Sequence, residues 1–337
     1  PTAAPTPKPT TAPAPATNVL NVPASIDATG SRDVTAELKA FVEGAPNGST
    51  IVFKAGGKYR MGEHIRLQDK KRITIEGNGA TFRLTGPATM EGRAFNIREL
   101  SEDITIRNLT IVGNHAAAGT KDACCSREGQ LGIAVHGSSD TLIERVDVRR
   151  VGGDCFNIGT WYDQPAWADG VTIRDSTCRL TGRMGVTMTA GSRVRVVNNT
   201  FDDIGYAVFA MEPNKSFQGG RDIVVRNNTV GSYSLTDRFK GKFFYACDAP
   251  WGGGATVSDV TITGNSFEGN RRGKDGSMTG VDINICGQTG PRADFTVTNN
   301  TAGKSVSGPI MRFTDVRGVT VTGNKQPLAS GELATFP

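Results

Sequence analysis

Four carboxylates lie at the ends of short, strand-like segments in the middle of the chain. Asp154 opens DCFNIG, Glu212 ends VFAME, Asp248 follows FFYAC and Asp282 lies near the start of VDINIC. If these segments pair as neighbouring parallel strands, side chains in the same register come together, so we expect Glu212, Asp248 and Asp282 to form an acidic row. Asp154 would extend this row two strands earlier. Neighbouring carboxylates raise one another's pKa, and one that keeps its proton can act as a general acid on a glycosidic oxygen.

The acidic row has two other interpretations. Glu212, Asp248 and Asp282 offer the oxygen ligands that Ca²⁺ prefers, and a bound Ca²⁺ would bridge to a substrate carboxylate. Alternatively, these residues are solvated surface charges without a role in a reaction. Zinc is not expected, because the chain has three His residues and no CxxC spacing.

Basic residues and a histidine accompany the same segments. Arg183 precedes GVTMTA and Lys215 follows VFAMEPN; each could neutralise an acidic sugar or remove a proton, or be an ordinary surface charge. His136 is a candidate general base because imidazole titrates near neutral pH, with a structural hydrogen bond as the alternative. Substrate contacts are also predicted for polar residues on or beside these strands: Glu128, Gln130, Asn157, Thr187, Thr189 and Asn284.

All three tryptophans follow candidate strands. Trp161 and Trp167 lie in GTWYDQPAW, and Trp251 lies in DAPWGGG. An exposed indole can stack on a pyranose ring, so these residues are candidate sugar contacts. The alternative is packing of each loop against the body of the protein.

These segments belong to a repeating chain. RVVNNTF, VVRNNTV, TITGNSF, TVTNNTA and VTGNK share a strand pattern followed by Asn. The aligned positions, separated by 29, 37, 35 and 24 residues, are Asn199, Asn228, Asn265, Asn300 and Asn324. Self-similarity at intervals of about 20–50 residues is typical of a solenoid or another stacked array.

The strand chemistry indicates which kind of solenoid. Each repeat carries Val, Ile or Thr in alternation, and none has a helical apolar period. We therefore predict a parallel β-helix whose recurring Asn tolerates left-handed geometry in a bend and hydrogen-bonds the neighbouring coil. Weaker copies occur earlier, at Asn78, Leu109, Val146 and Ser176. About nine coils result between residues 70 and 325.

The segment before the repeats predicts an N-terminal cap. Asp33 is placed to cap a short helix near residues 33–43, and ProAsnGly then turns the chain into the strand TIVF. The apolar residues of this helix are Val34, Leu38, Ala40, Phe41 and Val42. A helix here would protect the edge of the first coil from pairing with other strands.

This segment resembles the N-terminal cap of pectate-lyase-like, right-handed parallel β-helix proteins. The resemblance lies in the sequence DATG, the predicted helix that follows it and the sequence PNGSTIVFKAGGKY after the helix. With the repeats, the resemblance covers most of the chain from residue 26 onward. It implies a secreted, carbohydrate-active bacterial protein whose polysaccharide substrate lies in a groove along one parallel sheet. Outward residues of successive coils would then do the chemistry, and Arg or Lys serve as bases in the resembling lyases.

The predicted fold is all-β, a single-stranded right-handed parallel β-helix with a short N-terminal capping helix. Residues 1–18, which are rich in Pro, Ala and Thr, are expected to form a disordered linker. Residues 19–337 form one domain, divided into the cap at 19–68, the coils at 69–326 and a tail at 327–337. No run of 18 apolar residues and no signal segment occurs, so we expect no membrane span and a mature, exported, secreted or cell-surface protein, with a monomer favoured.

The charge of the chain indicates which classes of ligand it can bind. The net charge is +5, and ArgArg pairs occur only at 149–150 and 271–272, which disfavours nucleic acid and leaves a mild preference for an acidic polysaccharide.

Six cysteines in an exported chain predict disulfides. We expect Cys155–Cys178 and Cys247–Cys286. Cys124 and Cys125 are unassigned: one of them could join another loop, or both could be buried thiols.

Three classes of function fit these residues, and a polysaccharide lyase is expected ahead of a glycoside hydrolase. A polysaccharide lyase acting on a uronate-containing glycan is favoured by the resemblance, the basic charge and the candidate cation site. A glycoside hydrolase is favoured by the acidic row and by the lack of a matching lyase motif. A non-catalytic adhesin or phage spike is favoured only by the linker and the fold.

Overall fold

The chain folds into a parallel β-helix with one short helix near its N-terminus. The computed structural model describes residues 18–86, 92–161, 164–236, 242–247, 254–270, 283–287, 291–303, 311–325 and 334–335. Apolar residues alternate along short segments, so each segment can bury one face only as a strand. The described strands form two sheets, in which neighbouring strands pair in parallel. The predicted all-β fold is confirmed.

The strands predicted to carry chemistry form one sheet, which we call the groove sheet. Its ten described strands are Ile65–Gln68, Phe95–Arg98, Ile133–His136, Phe156–Gly159, Val186–Met188, Phe209–Met211, Phe244–Cys247, Ile283–Cys286, Met311–Thr314 and Ala334–Thr335. The five segments named from the sequence, DCFNIG, GVTMTA, VFAME, FFYAC and VDINIC, all contribute strands to it.

The second sheet makes up the other walls of the solenoid. Its described strands are Asn18–Asn21, Thr29–Asp33, Ser49–Val52, Lys58–Met61, Lys71–Leu84, Glu102–Val112, Ser139–Arg149, Ala168–Asp169, Thr172–Arg174, Thr177–Arg179, Ala190–Val197, Thr200–Asp202, Gly219–Arg226, Thr229–Ser232, Thr256–Thr263, Ser266–Asn270, Arg292–Thr298, Thr301–Ala302 and Val316–Thr322.

Alternation along the groove sheet sends one row of side chains into the interior. Phe209 and Phe244 stack with ring centroids 5.0 Å apart because they are in register on neighbouring strands. The predicted inward residues are all at most 1% exposed: Ile133, Val135, Phe156, Ile158, Val186, Met188, Phe209, Met211, Ile283 and Ile285. The residues between them face outward, toward a possible ligand.

A chain of side-chain amides links the later coils. Asn199 Nδ2 donates to Asn228 Oδ1 at 3.1 Å, and Asn228 Nδ2 donates to Asn265 Oδ1 at 2.9 Å. The same bond, at 2.9 Å, joins Asn265 to Asn300 and Asn300 to Asn324. Each acceptor oxygen also takes the backbone N–H of the preceding ladder residue. The predicted asparagine ladder is confirmed.

The residue before each ladder position provides the left-handed turn of the bend. φ is 58° at Asn198, 55° at Asn227, 66° at Gly264, 56° at Asn299 and 67° at Gly323. The ladder asparagines have no positive φ, so the expectation that they adopt left-handed geometry is wrong. Asn and Gly tolerate this conformation best, which explains the recurring AsnAsn and GlyAsn pairs.

In the earliest repeat the ladder place belongs to Ala80, and the prediction of Asn78 is wrong. Ala80 pairs in register with Leu109 after a register shift that begins at Glu76, and Leu109 pairs with Val146 as predicted. Asn78 is an exposed residue within the strand Lys71–Leu84, with φ of 51°. Extra residues at the irregularity between Glu76 and Ala80 displace the repeat, and the strand pattern alone does not reveal them.

The N-terminal helix spans Thr35–Glu43. The N-cap is Val34 and not the predicted Asp33, yet the Asp33 carboxylate accepts the Thr35 N–H at 2.9 Å and so satisfies one N–H of the first turn. Leu38 and Val42 are buried as predicted, whereas Ala40 is exposed because it lies on the opposite side.

This helix also protects the edge of the groove sheet. It packs against the first groove strand, and the Glu43 carboxylate accepts the Arg66 N–H at 2.8 Å. An N–H that would otherwise be open to another chain is thereby satisfied.

The ends of the chain are described only in part. Asn18 is the one residue of the predicted linker within the described ranges, and it begins a strand that pairs with Ser49–Val52. Of the predicted tail, only Ala334–Thr335 is described. Within the described ranges, the chain contains no helix with the length and apolar character needed to traverse a bilayer.

All six cysteines are paired. Cys155–Cys178 and Cys247–Cys286 form as predicted, the second between residues in register on neighbouring groove strands. Cys124 and Cys125 bond each other, so neither joins another loop and neither is a free thiol.

The ladder generates a stability prediction. Asn265→Leu leaves the Asn228 N–H, one side-chain N–H of Asn228 and the Val225 carbonyl without their buried partner. Each unsatisfied buried group costs about 1–3 kcal/mol, so we expect unfolding free energy to fall by about 3 kcal/mol or more. Urea unfolding followed by circular dichroism measures it.

Asn324→Leu is the matched control. Asn324 is half-buried at the end of the described ladder, so water can replace its bonds and the loss should be clearly smaller. Equal losses in the two variants would contradict a buried, continuous ladder.

Candidate functional site

A cleft of about 480 Å³ lies on the outer face of the groove sheet. Strands Ile133–His136 and Phe156–Gly159 contribute to it, together with bends and loops that enter and leave neighbouring strands. Most of the candidate residues from widely separated parts of the sequence meet here. We call this region the cleft.

Arg183 lies at the centre of the cleft and contacts three carboxylates. Its Nη2 is 3.0 Å from Glu212 Oε2, its Nη1 is 3.5 Å from Glu128 Oε2 and its Nε is 3.8 Å from Asp154 Oδ1. The side chains of Asp154, Arg183 and Glu212 are 1, 20 and 24% exposed, respectively. The Glu128 side chain is 59% exposed, whereas the other three groups are largely withdrawn from water, where charges interact more strongly than at the surface.

Backbone hydrogen bonds between coils hold this cluster in place. Glu212 directly follows its groove strand, and its N–H donates to Met188 O at 2.8 Å. Arg183 lies in the bend before the preceding groove strand, and its N–H donates to Gly153 O at 3.2 Å. Asp154, the residue after Gly153, is therefore held one coil from Arg183.

The surroundings raise the pKa values of both Glu212 and Arg183. Burial raises the pKa of the Glu212 carboxyl above its ordinary value, an effect that the Arg183 charge opposes and Asp154 reinforces. The charge of Asp154 is the main cause of a raised pKa at Arg183. Arg183 is thus a permanent cation, and Glu212 binds a proton more readily than a carboxyl in water does.

A neutral histidine adjoins the carboxylates. His136 Nε2 lies 2.7 Å from Asn157 Oδ1, which can only accept, so Nε2 carries the proton. Asn157 Nδ2 in turn donates to Asp154 Oδ2 at 3.3 Å. Burial, helped by the charge of Arg93, lowers the pKa of His136 to about 4. The ring therefore orients Asn157 and Asp154 in its uncharged form.

Trp161 forms one wall of the cleft. The Arg98 guanidinium lies 3.4 Å from the indole centroid, and the His136 ring centroid is 5.8 Å away. A cation held over an indole face fixes the ring in a desolvated position. Trp161 is therefore a rigid aromatic wall.

The loop after Glu212 forms another wall. Gln218 Nε2 donates to Thr160 Oγ1 at 2.8 Å, and Gln218 Oε1 accepts the N–H groups of Asn214 and Lys215 at 2.7 and 3.1 Å. One buried amide thus ties the loop that carries Lys215 to the loop that carries Trp161.

The family of the chain follows from a match to a family model. The model described as the right-handed β-helix region matches residues 57–230, more than half of the chain. The chain belongs to the right-handed β-helix family. The predicted handedness and the resemblance to pectate-lyase-like β-helix proteins are thereby confirmed. No curated protein matches this right-handed β-helix significantly.

Solved structures share its fold at low sequence identity. An alginate lyase from Paenibacillus sp. is 15% identical, with a TM-score of 0.63 over 95% of this chain and 98% of the other. A tailspike mutant of E. coli bacteriophage HK620, in complex with a pentasaccharide, is 12% identical, with a TM-score of 0.62 over 93% and 63%. The Streptococcus pneumoniae surface adhesin PfbA is 14% identical, with a TM-score of 0.54 over 95% and 92%. At these identities the comparison shows the fold alone.

Most predicted site residues meet in the cleft. Glu212 does not line the cleft itself, but it contacts Arg183, which does. The predicted residues that line it are Glu128, His136, Asp154, Asn157, Trp161, Arg183, Thr189 and Lys215. Register on a parallel sheet is the physical reason that these separate segments converge.

Four predicted sugar contacts lie elsewhere. Gln130 is fully buried, donates to Asn114 Oδ1 at 2.6 Å and accepts the Gly152 N–H at 3.2 Å, so its amide supports the loop instead. Thr187 is 2% exposed and its hydroxyl contacts Met184 Sδ. Trp167 lines a different hollow, and Asn284 lies four strands beyond Asn157 in the groove sheet.

Asp248 and Asp282 of the predicted acidic row lie outside the described residues. The predicted sugar contact Trp251 lies outside them as well. Within the described ranges, no group of three His, Cys, Asp or Glu side chains is arranged to hold a metal ion. Calcium at Glu212, Asp248 and Asp282 therefore stays a prediction.

Two tyrosines beside Glu212 were missed by the sequence reasoning. Tyr206 and Tyr245 pack half-buried against Met184 and Ala210. Burial raises the pKa of both phenols, and the nearby Glu212 charge adds to the rise, so both stay protonated. Alternation in FFYAC assigns Tyr245 to the outward face and could have identified it; Tyr206 lies in a bend and gave no such signal.

The buried histidine generates a pH prediction. With a folded pKa of about 4 against 6.5 unfolded, His136 leaves stability unchanged above about pH 6.5. Between those values the unfolded chain binds more protons, so stability falls as pH falls, by about 3 kcal/mol in total for this one group. Urea unfolding from pH 7 to pH 4 measures the wild type and His136→Gln in parallel. The variant should lose less stability over this range, and identical pH slopes would contradict a neutral, buried His136.

Proposed function

We propose that this right-handed β-helix is a polysaccharide-degrading enzyme that cleaves glycosidic bonds in the cleft. The proposal rests on two carboxyls, those of Asp154 and Glu212, which contact different nitrogens of the same Arg183 guanidinium. The solved structures that share the fold include enzymes, a tailspike bound to a pentasaccharide and an adhesin, which is compatible with a glycan ligand.

Glu212 is the proton donor in this proposal. Its raised pKa favours the protonated form, which is the form that protonation of a leaving glycosidic oxygen requires. Asp154 supplies the second carboxylate, which either activates a water or bonds to the anomeric carbon. Its Oδ1 accepts no hydrogen bond, and Asn157 fixes its other oxygen. Arg183 offsets the charge that builds up as Glu212 loses its proton.

Hydrolysis fits this geometry better than elimination does. A lyase needs a cation to bind the uronate carboxylate and a base to remove the neighbouring proton. Arg183 already contacts three carboxylates, and His136, with a pKa of about 4, is a weak base. We therefore place a glycoside hydrolase first.

A polysaccharide lyase acting on a uronate-containing glycan is the second candidate. The cleft is lined by Arg93 and Lys215 as well as Arg183, so an acidic sugar would meet several positive charges. In this candidate the Asp154 carboxylate would remove the proton beside the uronate carboxyl, and Tyr206, a protonated phenol near Glu212, would donate a proton to the leaving glycosidic oxygen. For both candidates, the paired cysteines favour a secreted or cell-surface location.

Glu212→Gln tests the proposal. The amide keeps the shape and an acceptor for Arg183 but carries no transferable proton, so we expect turnover to fall by roughly 10²-fold or more. The melting temperature should change little. Activity is measured as reducing-end release from a panel of neutral and acidic polysaccharides, with and without a calcium chelator.

Glu63→Gln is the matched control, because Glu63 is 56% exposed in the cap and pairs only with Lys39 among its described ion pairs. Its activity should equal that of the wild type. Product absorbance in the ultraviolet from an unsaturated uronate would favour the lyase. Full activity in Glu212→Gln removes Glu212 from the mechanism, and binding without any bond cleavage would favour the adhesin.

A further inference from the structure

A second hollow lies beside the cleft, on the bend that leads out of the groove sheet. Its volume is about 480 Å³, and none of its lining residues lines the cleft. Successive coils contribute one short segment each. Its lining includes Asp69, Lys71, Leu100, Glu102, Ser138 and Trp167.

Trp167 is the aromatic wall of this hollow. Its Nε1 donates to Phe217 O at 2.7 Å, which fixes the half-buried indole in one orientation. Phe217 directly precedes Gln218, whose amide ties together the two loops that wall the cleft. Trp161 and Trp167 lie on the same loop, so one segment supplies an aromatic wall to each of the two sites.

Leu100 presents an apolar surface opposite the polar groups. Its side chain is 75% exposed, and its backbone is left-handed, with φ of 57°. Branched apolar residues avoid this conformation, and Asn or Gly would relieve it. An exposed leucine kept in a strained conformation points to a ligand that covers it.

A polar group in the hollow also lacks a partner. Ser138 is 3% exposed and its Oγ makes no hydrogen bond. Buried hydroxyls in folded proteins are normally satisfied, so a ligand hydroxyl at this place would complete the site. Apolar faces beside unsatisfied polar groups are the features that a pyranose ring, with its apolar face and hydroxyl edge, requires.

The charges at the rim indicate the kind of sugar. Lys71 and Glu102 pair at 3.3 Å, and Asp69 adds a second carboxylate. The rim therefore carries more negative than positive charge, which disfavours a uronate or a sulfated sugar.

We propose that this hollow is an accessory subsite for a neutral pyranose unit of a glycan whose chain continues into the cleft. The proposal rests on the proposed function for its substrate and extends it. A chain that occupies both sites crosses the loop carrying Trp161 and Trp167, so long glycans bind more tightly than short ones.

Affinity electrophoresis tests this subsite. Native gels contain a neutral β-glucan, a neutral galactomannan or alginate, and all proteins carry Glu212→Gln so that the gel polysaccharide is preserved. We expect a neutral glycan to retard the parent protein. Trp167→Ala should weaken the affinity about tenfold, as loss of a central tryptophan contact does.

Leu100→Asn provides a second variant that does not threaten folding, because Asn suits the left-handed backbone. It should weaken retardation while its melting temperature is unchanged or higher. Val19→Asn is its matched control: Val19 is an exposed hydrophobic residue, at 60%, in the first strand of the chain, and retardation should not change.

Unchanged affinity in both Trp167→Ala and Leu100→Asn overturns the subsite, as does retardation by alginate alone or by none of the three gels. Failure of the proposed function has a different signature. It appears as no release of reducing ends from any of these polysaccharides by the protein that retains Glu212, whatever the two hollow variants do.

Discussion

The hydrogen-bonded ladder inside the bend is the interaction on which the rest of this molecule depends. Parallel strands can slip by one residue, and a slip would turn every inward side chain outward. Each ladder amide bonds both a backbone N–H and the next amide, as Asn228 Oδ1 does with Asn199, so a coil can sit in one register only. Because Asp154 and Glu212 come from strands two apart, their meeting at Arg183 requires that this register hold.

The cleft uses that rigidity to keep charges close together. Three carboxylates around one buried guanidinium would relax apart on mobile loops, since each would gain hydration. Here Arg183 and Glu212 are tied by backbone bonds to neighbouring coils. The protein can therefore hold Glu212 in surroundings that favour its protonated form while Arg183, a permanent cation, stays beside it. A neutral His136 avoids adding another buried cation to a cleft that already holds Arg93 and Arg183.

The coils and the strand-borne site residues were predictable, because alternation and register are local rules. Asp154, His136 and Glu212 were identified from their positions at strand ends. The bends follow no such period. The shift of the ladder from Asn78 to Ala80 needs an irregular turn that the repeat pattern does not show, and Gln130 supports a loop because Asn114 comes within reach of its amide. Arg183 was identified as a candidate, but its central place among three carboxylates depends on the path of a bend.

The coil that carries Asp154 is also where the ladder begins to use hydrogen bonds. Ladder places before it are apolar, at Leu109 and Val146, and from Ser176 onward each hydroxyl or amide accepts an N–H of the preceding coil. In the same coil, Cys155 bonds Cys178 across the interior, which ties the residue after Asp154 to the opposite wall. Apolar ladder places set no hydrogen-bonded register between coils, whereas the amides do, and the disulfide fixes the Asp154 coil within itself. The carboxylate that must keep a fixed distance from Glu212 is thus anchored where the solenoid becomes most strictly registered.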